Sequence, residues 1–183
     1  MNFLAQNRMD LPTFRYHPDP IATGAIKQSD AVCECCFQAR GFVYTSHIYC
    51  PQAIEAICPW CIADGSAAEK FNGLFCDDSP LAEAGLTEEI IVEVSHRTPG
   101  FNSWQQEVWL SCCNDACEFH GDVTVAEAAT MDIDAVTRAC HGKRPIVSQF
   151  EDFKKHYRPG GNPAIYKWVC RHCGKVQHYA DFT

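Results

Sequence analysis

Cys33-x-x-Cys36 and Cys58-x-x-Cys61 place four thiols in two pairs of identical spacing. Thiols so arranged do one of two things. Cys58-Pro59-Trp60-Cys61 alone, ahead of the helix-forming run IADGSAAEKF, has the sequence of a disulfide exchanger. Two such pairs have the spacing of a tetrahedral zinc site, where the two-residue gap lets both sulfurs of a turn reach one ion at about 2.3 Å. The stretch before Cys58, PQAIEAI, lacks the continuous β-branched character of a strand feeding a redox helix. The zinc reading is therefore taken, with Cys35 as a poorly spaced alternate to Cys36.

Cys170-x-x-Cys173-Gly174 is a second knuckle, its glycine permitting the turn that aims backbone amides at sulfur. Its partners must come from CCNDAC, which offers Cys112, Cys113 and Cys117. The alternation along residues 108–113 leaves open which of the adjacent cysteines faces inward. Cys113 with Cys117 is the pair taken, because both then lie in one tight loop after a strand. Two structural Zn²⁺ ions are expected, one on Cys33, Cys36, Cys58 and Cys61, the other on Cys113, Cys117, Cys170 and Cys173. His120 and His172 are expected to be unliganded, and Cys50, Cys76 and Cys140 to pack as small apolar groups.

Outside the cysteines, SHRTPGFNSWQQEVW concentrates polar groups around a Pro-Gly turn. Arg97, Trp104, Gln105, Gln106 and Glu107 are the candidates there for binding a partner or polar ligand, Arg97 by pairing with an acid and Glu107 as a base. The plainer alternative is a loop whose side chains satisfy backbone groups. No catalytic residue is assigned. Zinc-deaminase, phosphate-loop and nucleophile-elbow signatures are all missing, and four-cysteine sites leave no open coordination position of the kind a catalytic zinc keeps.

The elements that must position these groups read as an α+β chain. Pro12, Pro18 and Pro20 make residues 1–31 an extended arm lying across the surface. Residues 32–76 follow the order knuckle, hairpin (42–44 with 47–49), knuckle, helix, which is the order of a treble-clef zinc module. Residues 77–183 form a second zinc-stapled portion packed on the first. Within it Ser79-Pro80 starts a helical turn, Thr87 caps a helix over 88–97 and residues 107–112 alternate as a strand. Thr124/Glu127 and Ser148/Glu151 mark two more helices by their capping-box spacing, and residues 164–182 form a hairpin turning at the last knuckle.

The chain carries 13 cysteines, an odd number, and a formal charge of −8. No signal peptide is expected, and no apolar run approaches the roughly 18 residues a membrane span needs. Clustered cysteines in such a chain point to a reduced, cytoplasmic compartment. The excess of acid argues against nucleic acid, since the one basic cluster is Lys154, Lys155, His156 and Arg158. A basic protein partner fits that charge better.

Several stretches resemble the CbrC family of bacterial proteins: FRYHPDPIATG (14–24), CECC (33–36), CPWCIADGSAAEKF (58–71), HRTPGF (96–101), WQQEVW (104–109), CCNDACEFHG (112–121) and the terminal CRHCGK. The resemblance spans nearly the whole length. It implies a colicin-tolerance label and a link to a bacterial two-component regulon, and it brings no catalytic residues. The expectation is a non-enzymatic, zinc-stapled interaction or stress-tolerance factor. The alternative is an enzyme or small-ligand binder using the 96–107 loop.

Overall fold

The structure, a computed structural model, describes residues 11–140, 142 and 147–182, so the first ten residues of the expected arm lie outside it. The elements are β1 (Ile26–Gln28), β2 (Phe42–Tyr44), α1 (Pro59–Ala63), α2 (Ser66–Phe71), α3 (Ser79–Glu83), α4 (Glu88–Arg97), β3 (Ser111–Cys112), β4 (Asp115–Ala116), β5 (Glu118–Asp122), α5 (Val125–Thr130), α6 (Ile133–Ala139), α7 (Val147–His156), β6 (Ala164–Val169) and β7 (Val176–Asp181). Helix and sheet are mixed, as an α+β class requires. No described helix is long and apolar enough to cross a membrane.

The N-terminal segment is not a surface strap. Tyr16 and His17 are fully buried, and Ile26–Gln28 pairs antiparallel with Phe42–Tyr44. The expected hairpin between 42–44 and 47–49 is thereby replaced. β2 takes its partner from the arm, and Tyr49 instead bridges Leu74. The prolines hold the approach extended, while the apolar side chains of Phe14, Tyr16 and Ile26 draw it inward. His17 is kept neutral by that burial, its pKa pulled down to about 4. Nδ1 donates to the Pro99 carbonyl at 2.8 Å, which leaves Nε2 to accept from Thr23, 2.7 Å away.

Past the second knuckle, the single expected helix over 62–71 is two short ones. Gly65, at φ +81°, breaks it between α1 and α2. The Thr124/Glu127 capping box forms as read, with Thr124 Oγ1 accepting from the Glu127 amide at 3.1 Å. Ser148 lies inside α7 rather than capping it. Helix α6, capped by Asp132 accepting from the Ala135 amide at 2.6 Å, was not foreseen.

β5, β6 and β7 form an antiparallel sheet in that order. Strand β6 alternates with period two. Ala164, Tyr166 and Trp168 face an aromatic core with Phe101, Trp109 and Phe119, and Ile165 faces a second core with Val123, Val136 and Tyr157. A third core, of Phe14, Ile26, Tyr44, Ile57, Ile62, Phe71 and Phe75, surrounds the first knuckles. Phe75 belongs to that core and Cys76 to the aromatic one. The chain crosses beside Gly100, where an added Cβ would lie 1.8 Å from the Phe75 carbonyl oxygen. No side chain fits there, so the two portions pack backbone against backbone.

Candidate metal centres

The first cluster is built by two segments zipped together. The 33–36 turn is closed by Phe37 N–H donating to Cys33 O at 2.8 Å and Cys33 N–H to Gln38 O at 3.0 Å. Glu34 joins this turn to the segment before Cys58: its Oε1 accepts from the amides of Glu55 (2.7 Å) and Ala56 (3.0 Å). Lys70, reaching from α2, donates to the carbonyls of Glu34 and Cys35 at 2.7 and 2.8 Å. Cys61 rides on α1, whose first residue is Pro59.

The four sulfurs converge. Cys33 Sγ lies 3.9 Å from Cys61 Sγ, Cys36 Sγ 3.8 Å from Cys58 Sγ, and Cys58 Sγ 3.5 Å from Cys61 Sγ. A tetrahedron of thiolates about 2.3 Å from a zinc ion has edges of about 3.8 Å. Hydrogen bonds hold Cys33 down to about 4, the Cys58 thiol first and then the amides of Cys36, Cys58 and Cys35. Cys58 is pushed up because it serves Cys33 as donor, and burial raises Cys61 to about 12. Cys33 is thus favoured as the thiolate while Cys58 and Cys61 are held as thiols; ionising those two as well calls for a positive charge at the centre of the cluster.

The second cluster differs from the expectation in one ligand. Cys112, Cys113, Cys170 and Cys173 have their sulfurs within 4.8 Å of one another, with Cys112 Sγ 3.7 Å from Cys113 Sγ and 3.9 Å from Cys173 Sγ. Cys117 is outside it, fully buried in the aromatic core, its sulfur accepting from Gln177 Nε2 at 3.4 Å. The cause is the turn between β3 and β4. Cys112 pairs with Asp115, and the two residues between them, Cys113 and Asn114, both have positive φ (54° and 58°). This two-residue turn has the geometry of type I′, which asparagine favours, and it throws both adjacent thiols to one side. Cys117 lies beyond the hairpin on a return leg pinned by Cys117 N–H donating to Leu110 O at 2.9 Å. Burial raises its thiol to about 12, whereas the Cys173 and His172 amides help hold Cys170 at about 6.

Beside this cluster stands a carboxylate that the cysteine spacing does not reveal. Asp115 is buried, and Oδ1 accepts from Tyr16 Oη at 2.6 Å and from the Ala116 amide at 2.9 Å. Oδ2 meets His172 Nε2 at 2.8 Å, Arg15 Nη2 at 3.4 Å and Arg171 Nη1 at 3.5 Å. Burial opposes its charge, but the Tyr16 and His172 bonds hold its pKa below the usual range. Asp115 thus ties the β3–β4 turn to the 170–173 knuckle and both to the N-terminal segment. His172 is placed against Asp115, outside the sulfur cluster.

Sequence comparison places this chain. The profile of an uncharacterised protein family, UPF0167, matches residues 11–182. The chain belongs to the UPF0167 family. Among its relatives, a UPF0167 protein of Pseudomonas aeruginosa is 46% identical, with 94% of this chain and 98% of that protein covered. UPF0167 proteins of Mycobacterium bovis and Mycobacterium tuberculosis are each 41% identical, with 94% of both chains covered. No solved structure matches.

The polar loop of this UPF0167 protein is spread over different partners. Arg97 Nε donates to Ala63 O at 2.9 Å and pairs with Glu93 at 3.7 Å. Gln105 Nε2 donates to Phe182 O at 2.9 Å, and Gln106 Nε2 to Asp77 Oδ2 at 2.7 Å. Glu107 is buried and accepts from the Tyr49 hydroxyl. The Trp104 and Gln105 amides both donate to Asp181 Oδ2, at 2.5 and 3.2 Å. Among the described residues these side chains are committed to separate partners. Of the five, only Trp104 lines a described cleft.

Proposed function

We propose that this protein is a cytoplasmic, non-enzymatic interaction factor whose two structural zinc ions fix the surface it presents to a basic protein partner. The observation that carries the reading is the geometry of the two all-cysteine clusters. Five sulfur pairs lie 3.5–3.9 Å apart, near the edge length of a zinc–thiolate tetrahedron, and the four sulfurs of each cluster lie within 4.8 Å of one another. Soft thiolates in fours select zinc over oxygen-seeking divalent ions. In the first cluster a knuckle and a helix-borne final ligand support a treble-clef-like reading of the ends of the module, while the hairpin between them gives way to pairing of β2 with the N-terminal segment. Loading both centres adds about four negative charges, because four thiolates outweigh one Zn²⁺. This deepens a formal charge already at −8 and favours a basic partner.

The distribution of the 96–107 side chains over structural bonds supports a positioning loop in preference to an active site. A role in stress or colicin tolerance, as the family resemblance implies, is within reach of such a factor. Two measurements test the proposal. Metal analysis of the purified protein should give two zinc ions per chain; fewer than one overturns it. Photo-crosslinking in living bacteria should yield a recurrent protein adduct that Cys58→Ser abolishes. An adduct indifferent to zinc loss, or none under any growth condition, would also overturn it.

A further inference from the structure

Two hollows of about 310 and 550 Å³ meet on the face formed by the 19–23 turn, β5, the 101–104 loop and the 159–160 turn. They share Thr23, Phe119, Gly121, Asp122 and Gly160, so they form one continuous cleft. Trp104 stands at one end and Asp19 at the other, with Asp122 where the two meet. No lysine or arginine lines either part. The one lining histidine, His120, has its Nε2 turned to Glu118 at 3.3 Å.

Three details set this cleft apart from an ordinary surface furrow. Trp104 is 52% exposed, yet its indole is pinned: Nε1 donates to Gly161 O at 2.9 Å while its own amide is held by Asp181. A large aromatic face is thus kept rigid in solvent. Asp122 is half-buried and takes its partners from backbone amides and the Tyr157 hydroxyl; no ion pair to it exists among the described residues. Burial raises its carboxyl above the usual range, the direction expected where no cation compensates it. Asp19 turns one oxygen to the Ala22 amide at 3.0 Å and forms no ion pair among the described residues either.

An aromatic face and two carboxylates with no cation paired to them among the described residues form a receptor for a guanidinium or ammonium group, which gains cation–π attraction at the ring and charge-assisted hydrogen bonds at the acids. We infer that this cleft receives a basic side chain, arginine above all, from an extended segment of a partner protein, set between the Trp104 face and the carboxylates of Asp122 and Asp19. The inference rests on the interaction reading above and gives that interaction a place. The two joined hollows suit two basic residues along a segment, one at Trp104 and Asp122 and the next at Asp19.

The test uses the full zinc-loaded protein and the peptide acetyl-Gly-Arg-Gly-Arg-Gly-amide, followed by NMR at the Trp104 indole N–H, which is assigned through Trp104→Phe. Binding should shift that resonance, and replacing arginine by its neutral isostere citrulline should weaken it at least tenfold. The double variant Asp19→Asn/Asp122→Asn, which keeps shape and one acceptor oxygen at each position, should weaken it comparably while resonances away from the cleft stay unchanged. Equal binding of the citrulline peptide, or of the arginine peptide by the double variant, overturns the cleft assignment. Spermidine binding as tightly at the same resonance overturns the protein segment in favour of a free polyamine. Either result leaves zinc content and in-cell crosslinking untouched, so failure of the cleft is distinguishable from failure of the proposed function.

Discussion

The two cysteine clusters are chemically alike but differ in their support. In the first, Cys33, Cys58 and Cys61 are buried among Phe14, Ile57, Ile62 and Phe71, so the candidate metal centre and the core of residues 26–75 are one object. In the second, Cys113 and Cys173 are exposed and only Cys170 is buried, while the aromatic core beneath is built by Trp109, Phe119 and Trp168 in mutual ring contact. A metal ion in the first would brace a core framed only by three-residue strands and five- or six-residue helices. The second fastens a rim onto a core that already exists, and needs Asp115 to do it. A small portion with little regular structure leans on metal for its folding energy, whereas a sheet packed on both faces does not.

Removing one ligand from each centre tests that contrast most severely. Cys58→Ser should cost on the order of 10 kcal/mol of metal-binding energy, comparable to the whole stability of an ordinary domain. Residues 26–75 should then lose their cooperative fold. Limited proteolysis should cut within them while the β5–β7 sheet persists, and zinc content should fall by one ion per chain. Resistance of that region to protease after zinc loss would show that its core stands without metal.

Cys112→Ser is the matched change at the rim. It too should release one zinc, but near-UV circular dichroism from the packed tryptophans should survive, with unfolding still cooperative at a lower temperature. Collapse of the aromatic signal would erase the difference between the centres.

How much of this contrast the sequence could reveal follows from spacing. The Cys-x-x-Cys knuckles are local motifs, so both centres, the mixed α+β class and the terminal hairpin were legible. Cys112 was not distinguishable from Cys117, because the choice depends on two successive positive-φ residues at Cys113 and Asn114. The pairing of Ile26–Gln28 with Phe42–Tyr44 was hidden because proline-rich approaches look alike whether they lie on a surface or enter a sheet. Asp115 and Tyr16 were missed for a related reason. Their partnership spans 99 residues, and only the aspartate inside CCNDAC hinted at it. The loop around Trp104 drew attention by composition, yet its polar groups are spent on the backbone and on neighbours.

Asp115→Asn probes the rim more gently. It keeps the side chain's shape but removes the charge that faces His172, Arg15 and Arg171. Loss of such an outer partner weakens metal sites by about 10–100-fold. Competition with a chromophoric chelator should show one zinc per chain leaving that much more readily and the other unchanged. Weakening of both sites equally would mean that Asp115 acts on the whole fold instead of on the rim.

Cys117→Ala should do least, and for that reason it decides the ligand set. Its sulfur lies in the aromatic core with Gln177 as its polar contact, so truncation removes one buried atom and should cost about 1 kcal/mol. For a chain of this size that is a fall of roughly 2–4 °C in melting temperature. Zinc content should stay at the wild-type value, because the tight turn already supplies Cys112 and Cys113 together. Loss of a zinc ion here, with retention in Cys112→Ser, would put Cys117 back in the coordination shell. The β3–β4 turn would then have to open far enough to carry a buried thiol to the rim, and the second centre would be as deeply rooted in its core as the first.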